Sequence, residues 1–139
     1  KLDLPGTKIV VGEGPARLEL QAKFPKVCFL GVKSGQDLAS IYASADVFVF
    51  PSRTDTFGLV MLEALAAGTP VAAFPVSGPM EVLEGSRCGI MSEDLRLAAL
   101  MALEIPREAC KAFASRHSIR DSAADFFSHI AAVQLAGRM

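Results

Sequence analysis

The chain has 139 residues, 51% of them hydrophobic, with a mean hydropathy of +0.37, which suits one domain with a substantial core and excludes a disordered tail. Fourteen basic and fifteen acidic residues leave a net charge of −1 with no long run of either sign, so there is no electrostatic footprint for nucleic acid and a phosphate-bearing ligand must be held by local geometry. No apolar stretch reaches the roughly 18 to 20 residues that span a bilayer, and the amino terminus KLDLPGTK lacks a signal-peptide core, so a cytoplasmic location is expected, with a peripheral contact at the inner face of a membrane left open.

Four short, apolar runs rich in β-branched or aromatic residues read as strands: 8–11 (KIVV), 27–30 (VCFL), 47–50 (VFVF) and 71–74 (VAAF). Between them, 15–22, 37–43 and 57–67 carry apolar residues at helical spacing. Alternating strands and helices predict an α/β fold, a Rossmann-like parallel sheet with helices on both faces, because parallel neighbours need a crossover rather than a tight hairpin. Continuously apolar strands agree with a sheet covered on both sides. A helix near 80–83 leads to a very short fifth strand at 88–91. From residue 92 the chain reads as a helical tail, with helices at 93–103 and 108–115 and an amphipathic segment at 121–135 carrying Ala124, Phe127, Ile130 and Ala131 on one face. No repeat or linker divides the chain, so residues 1–139 are expected to form a single domain. The sequence enters almost directly on a strand, which suggests a piece of a larger protein. Cys28, Cys88 and Cys110 are odd in number and widely spaced, which fits reduced core thiols better than a disulfide framework or a zinc site.

In open α/β sheets, ligands bind outside the carboxyl ends of the strands. The turns at 12–15, 31–35, 51–58 and 75–78 are therefore the places to look. In the third, Thr54, Asp55 and Thr56 precede a helix whose first turn holds Gly58, so a ligand phosphate could approach free backbone N–H groups aided by the helix dipole. Equally, Asp55 or Thr56 could be a plain helix cap and Gly58 a packing glycine. Glu63 is the one charge in FGLVMLEALAA, a run that reads as buried nearly all round. A buried carboxylate needs a partner, either an internal Arg or Lys or a ligand at the helix start, toward which helical side chains lean. Carboxylates accept hydrogen bonds from sugar hydroxyls and repel phosphates. Asp55 and Glu63 would then grip the neutral parts of a nucleotide sugar. The first turn, VVGEGPAR, has the context of a dinucleotide fingerprint, but Arg17 stands where its third glycine belongs, so Gly12 and Gly14 are read as a tight turn on the cleft rim. His117 and His129 lie among surface-type residues, and there is no nucleophile elbow, phosphate-binding Walker loop or metal-ligand cluster.

The stretches VVGEGPARLEL, VCFLGVKSGQDLASIYASADVFVFPS, RTDTFGLVMLEALAAGTPV and SGPMEVLEGSRCGI resemble the carboxyl-terminal half of family 4 glycosyltransferases, whose GT-B fold sets two Rossmann-like domains across a cleft. The family's two glutamates, separated by seven intervening residues around an F-G-L turn, correspond to Asp55 and Glu63; aspartate at the first position shortens the arm by one methylene. The resemblance implies that Asp55 contacts the donor sugar, and that the backbone at Thr56, Phe57, Gly58 and Leu59 meets sugar and diphosphate. It further implies that Glu63 binds the ribose and that Gly31, Val32 and Lys33 line the base pocket, with Gly12 and Gly14 counted among the donor-binding residues. It implies a retaining hexosyl transfer from a UDP- or GDP-sugar without a metal or other cofactor. The acceptor, a lipid or glycan, would bind an amino-terminal domain absent here, and bacterial lipid-directed hexosyl and mannosyl transferases are the most similar members. The Arg and Lys that neutralise the leaving diphosphate would lie ahead of Lys1, so this stretch alone is expected to bind donor weakly and transfer nothing. A nucleotide-sugar epimerase half and a non-catalytic nucleotide-binding module are the competing readings.

Overall fold

A computed structural model describes residues 3–54 and 58–116. Eleven elements follow in chain order: β1 Lys8–Val10, α1 Arg17–Lys23, β2 Val27–Phe29, α2 Gly35–Ser44, β3 Phe48–Phe50, α3 Leu59–Ala66, β4 Val71–Ala73, α4 Ser77–Leu83, β5 Gly89–Met91, α5 Leu95–Ala102 and α6 Arg107–Arg116. The alternation expected from the sequence is present, and every strand pairing is parallel. The predicted amphipathic segment at 121–135 and both histidines lie outside the described residues.

The strands fall into two sheets rather than one. β1 pairs with β2, and β3, β4 and β5 form a second sheet with β4 in the middle. Period-2 alternation builds the larger sheet's core. Val71 and Ala73 point into a cluster with Phe50, Met61, Leu65 and Leu83, whereas Ala72 between them points into a cluster with Leu95, Ala98, Ala99 and Ala102. The helices therefore cover both faces of this sheet, α5 on one and α3, α4 and α6 on the other. Small alanines on α5 bring its backbone close to the strands. Asp94 starts that helix as its N-cap, accepting from the N–H groups of Arg96 and Leu97.

The β1–α1–β2 unit is different. No residue from Asp3 to Leu30 is buried, and Ile9, Val10, Leu20 and Leu30 stay well exposed. The expectation of a sheet covered on both faces is thus corrected for β1 and β2, which one seven-residue helix accompanies without burying a residue of its own. Cys28 sits on β2 and is exposed, not a core thiol as expected, while Cys88 and Cys110 are buried. No helix among the described residues is long and apolar enough to cross a membrane.

Two contacts fix the carboxyl end of α2, one from the start of α6 and one from the segment between α3 and β4. The Arg107 guanidinium donates to the carbonyls of Ala43 and Ala45 at the helix's carboxyl end, where orphan carbonyls and the helix dipole favour a cation. The buried Thr69 hydroxyl donates to the carbonyl of Tyr42.

Candidate functional site

The turns after β1 and β2 are tied together: the Gly12 N–H donates to the Gly31 carbonyl at 2.8 Å and the Leu30 N–H to the Val10 carbonyl at 3.0 Å. Gly12, Gly14, Gly31, Val32 and Lys33 consequently form one loop cluster, with Val32 strongly exposed and Lys33 half-buried. Gly31 has a φ of +70°, and the Glu13–Arg17 ion pair lies against it, 3.2 Å from where a Cβ would stand. Arg17 opens α1 in that pairing. A side chain occupying the third-glycine position and paired across the turn narrows the approach a dinucleotide pyrophosphate would use.

At the carboxyl ends of the larger sheet, Arg53 stacks over the Phe74 ring at 3.7 Å and pairs with Glu93 at 2.9 Å, joining the segments that follow β3, β4 and β5. Asp55, Thr56 and Phe57 lie outside the described residues. Gly58 then caps α3 in the left-handed conformation, with φ 62° and ψ 50°, and its carbonyl accepts from the Met61 N–H at 2.8 Å. The helix start expected to meet an anion thus depends on a backbone geometry natural to glycine.

The placement of Glu63 corrects the sequence reading. α3 buries Met61, Ala64 and Leu65 and exposes Leu59, Val60, Glu63 and Ala66. Residues 61, 64 and 65 form one stripe at helical spacing; positions 59, 63 and 66 fall on the other side, despite their nearly uniform apolarity. Glu63 therefore needs no buried counter-charge. Its described partner is the hydroxyl of Tyr42, 3.5 Å from Oε2. Tyr42 is buried on α2, with its ring edge-on to Phe48 at a centroid distance of 5.4 Å and an interplanar angle of 87°.

Neither Tyr42 nor Arg53 was singled out from the sequence. A lone tyrosine at an apolar helix position has the pattern of a core residue, and Arg53 meets Glu93 across 40 residues, so no local spacing announces either contact.

Burial, reinforced by the neighbouring Glu63 charge and hydrogen bond, pushes the Tyr42 hydroxyl up to about 12. Burial likewise pushes the Cys110 thiol up to about 11, with Cys88 beside it, and raises Cys88. All three groups hold their protons more tightly folded than unfolded. The stabilisation is complete below the unfolded values of 9.0 for thiols and 10.0 for the phenol, and it is lost as pH rises through the folded values. Unfolding free energy should be flat near neutrality and fall by on the order of 2 kcal/mol or more through this alkaline window, as followed by urea unfolding over a pH series. A flat profile there would contradict the burial of these groups.

The chain matches the family model described as Glycosyl transferases group 1 over residues 6–105. It is 41% identical over 83 residues to a GDP-mannose-dependent alpha-mannosyltransferase of Mycobacterium tuberculosis, a match covering 60% of this chain and 22% of that relative. Among solved structures, the pneumococcal O-GlcNAc transferase GtfA in complex with UDP and GlcNAc aligns with a TM-score of 0.71 at 19% identity, over 92% of this chain and 29% of that one. Anabaena HepE in complex with UDP and glucose aligns with a TM-score of 0.68 at 25% identity, over 88% of this chain and 40% of that one. The chain thus spans well under half the length of each of these proteins.

Proposed function

The chain belongs to the glycosyl transferases group 1 family, and from that premise we propose that it is the nucleotide-sugar binding part of a retaining, metal-independent hexosyltransferase. The observation that carries this reading is the α3 start: a left-handed Gly58 opens a helix at the carboxyl end of the larger sheet, with the exposed Glu63 carboxylate just over one turn further on. In this reading the backbone from Thr56 to Leu59 meets the diphosphate and the sugar, because a helix amino terminus and its dipole favour negative charge. Glu63 accepts the ribose hydroxyls, Asp55 the hydroxyls of the transferred sugar, and Gly31, Val32 and Lys33 border the base, with Gly12 and Gly14 behind them. The donor is a UDP- or GDP-sugar: relatives and structural neighbours carry GDP-mannose in a name and UDP in a complex. The acceptor, a lipid or glycan, is taken by the rest of the longer protein. No metal or other cofactor is called for, and the location proposed is cytoplasmic, at or near the inner face of a membrane.

Titrating the chain with UDP-, GDP- and ADP-sugars while following the amides of residues 58–63 by NMR tests the reading. Shifts confined to that segment and to 31–33 for one nucleotide support it. Silence at millimolar concentration, with the fold intact, would count against it. Glu63→Gln should weaken the bound nucleotide about tenfold, as expected where a charged acceptor becomes neutral. Because Glu63 is exposed, the melting curve should stay within about 0.5 kcal/mol of the unsubstituted chain. Unaltered affinity would remove Glu63 from the site.

A further inference from the structure

Glu63 stands on an exposed helix face, where an unrestrained glutamate samples many rotamers. Beneath it, Tyr42 is buried at the end of α2, where its backbone is tied down and its ring is packed. The Thr69 hydroxyl binds its carbonyl, Arg107 binds the carbonyls of Ala43 and Ala45 just beyond it, and its ring packs edge-on to Phe48. The Tyr42 ring belongs to the buried cluster that includes Met61, Ala64 and Leu65 of α3, and its hydroxyl lies 3.5 Å from Glu63 Oε2.

We propose that Tyr42 is a positioning residue for ribose recognition, its hydroxyl holding the Glu63 carboxylate in the orientation that accepts the 2′- and 3′-hydroxyls of the donor nucleotide. This rests on the proposed donor-binding role of Glu63. The chemistry of the pair favours it. A phenol donates one hydrogen bond without contributing a positive charge, so it fixes the carboxylate and leaves its negative charge intact. An ionised carboxylate has about four acceptor sites; Tyr42 occupies one, which leaves enough for two sugar hydroxyls. An arginine or lysine in the same place would anchor Glu63 but compete with neutral hydroxyls for its oxygens. At 3.5 Å the contact is long for an O–H donor, and sugar hydroxyls that draw the carboxylate toward Tyr42 would shorten it.

The test compares the unsubstituted chain with Tyr42→Phe and Glu63→Gln, using whichever of GDP and UDP binds the chain more tightly and its 2′,3′-dideoxy analogue. The unsubstituted chain should prefer the ribonucleotide. Tyr42→Phe keeps the ring against Phe48 and should weaken the ribonucleotide about fivefold, the size of one modest hydrogen bond, while leaving the dideoxy analogue unchanged. Equal loss for both ligands, or no loss for either, overturns the proposal. If neither nucleotide binds, if the unsubstituted chain does not distinguish ribose from dideoxyribose, or if Glu63→Gln leaves the preference intact, the role of Glu63 itself fails and the proposal with it. A second readout does not depend on the variant folding. Tyr42 is the chain's one tyrosine and there is no tryptophan, so intrinsic fluorescence reports this hydroxyl alone. It should change on adding the ribonucleotide, not on adding the dideoxy analogue, and not in Glu63→Gln; the same change with both ligands would separate Tyr42 from the ribose.

Discussion

Replacing Leu65 by alanine is expected to lower the unfolding free energy by about 3 to 4 kcal/mol, the cost of deleting a buried leucine's branched methyls and leaving a void. Leu65 is 0% exposed, on the buried stripe of α3, in the cluster that joins Phe50, Val71 and Ala73 of the sheet to Cys110 and Phe113 of α6. Helices α3 and α6 and two strands converge there, so the site cannot collapse cheaply. Leu59, 55% exposed on the opposite face, is the control, and its alanine variant should fall within about 0.5 kcal/mol of the parent. The measurement is urea unfolding of both variants, and the denaturant midpoint should shift with little change in slope. If the two cost the same, the rotation assigned to α3 is wrong, and with it the outward placement of Glu63.

Gly58→Ala should affect both stability and ligand binding. With φ at 62°, an L-residue incurs roughly 1 to 2 kcal/mol of backbone strain. The added Cβ would overlap the Met61 methyl, the far end of a flexible but fully buried side chain, so that methyl must also shift, at a smaller cost than the strain. A total of about 2 kcal/mol is expected, and relief of the strain at Gly58 displaces the N–H groups that open α3. Nucleotide binding should therefore fall below detection in the same titration that reports it for the parent, under conditions where circular dichroism shows the variant still folded. Retained affinity in a folded Gly58→Ala chain would place the phosphates elsewhere.

Much of this architecture is legible in the residues. Five apolar runs separated by helical spacing announce strands, and each of the five observed strands lies inside one of them; the need for crossovers makes them parallel. The carboxyl-end loops follow from that topology alone. The facing of α3 does not. With Glu63 as the single charge among apolar neighbours, the periodic contrast that would orient the helix is nearly absent, and only the packing of Met61, Ala64 and Leu65 against sheet and α6 decides it. The exposure of Cys28 was hidden for a similar reason: VCFL has the composition of a covered strand, and nothing local tells that β2 pairs with β1 alone. The Arg53–Phe74–Glu93 cluster and the Tyr42–Glu63 contact bring together residues far apart in sequence, and no spacing rule operates over such distances.

The uneven burial of the two sheets carries a thermodynamic consequence. A two-stranded unit is marginal in water without a well-packed face, and β1–α1–β2 buries none of its residues fully. Local opening of that unit should therefore lie at the low end of the free-energy scale, far below global unfolding of the α3–α6 core. The loops proposed to border the nucleobase ride on it, whereas Gly58 and Glu63 ride on the core. Apparent affinity for a whole nucleotide is the intrinsic affinity reduced by the fraction of molecules in which the labile half is formed. If the proposed donor assignment holds, selectivity and affinity are separable: α3 would fix where the diphosphate and ribose sit, and the opening equilibrium of β1–α1–β2 would scale how tightly the base is held.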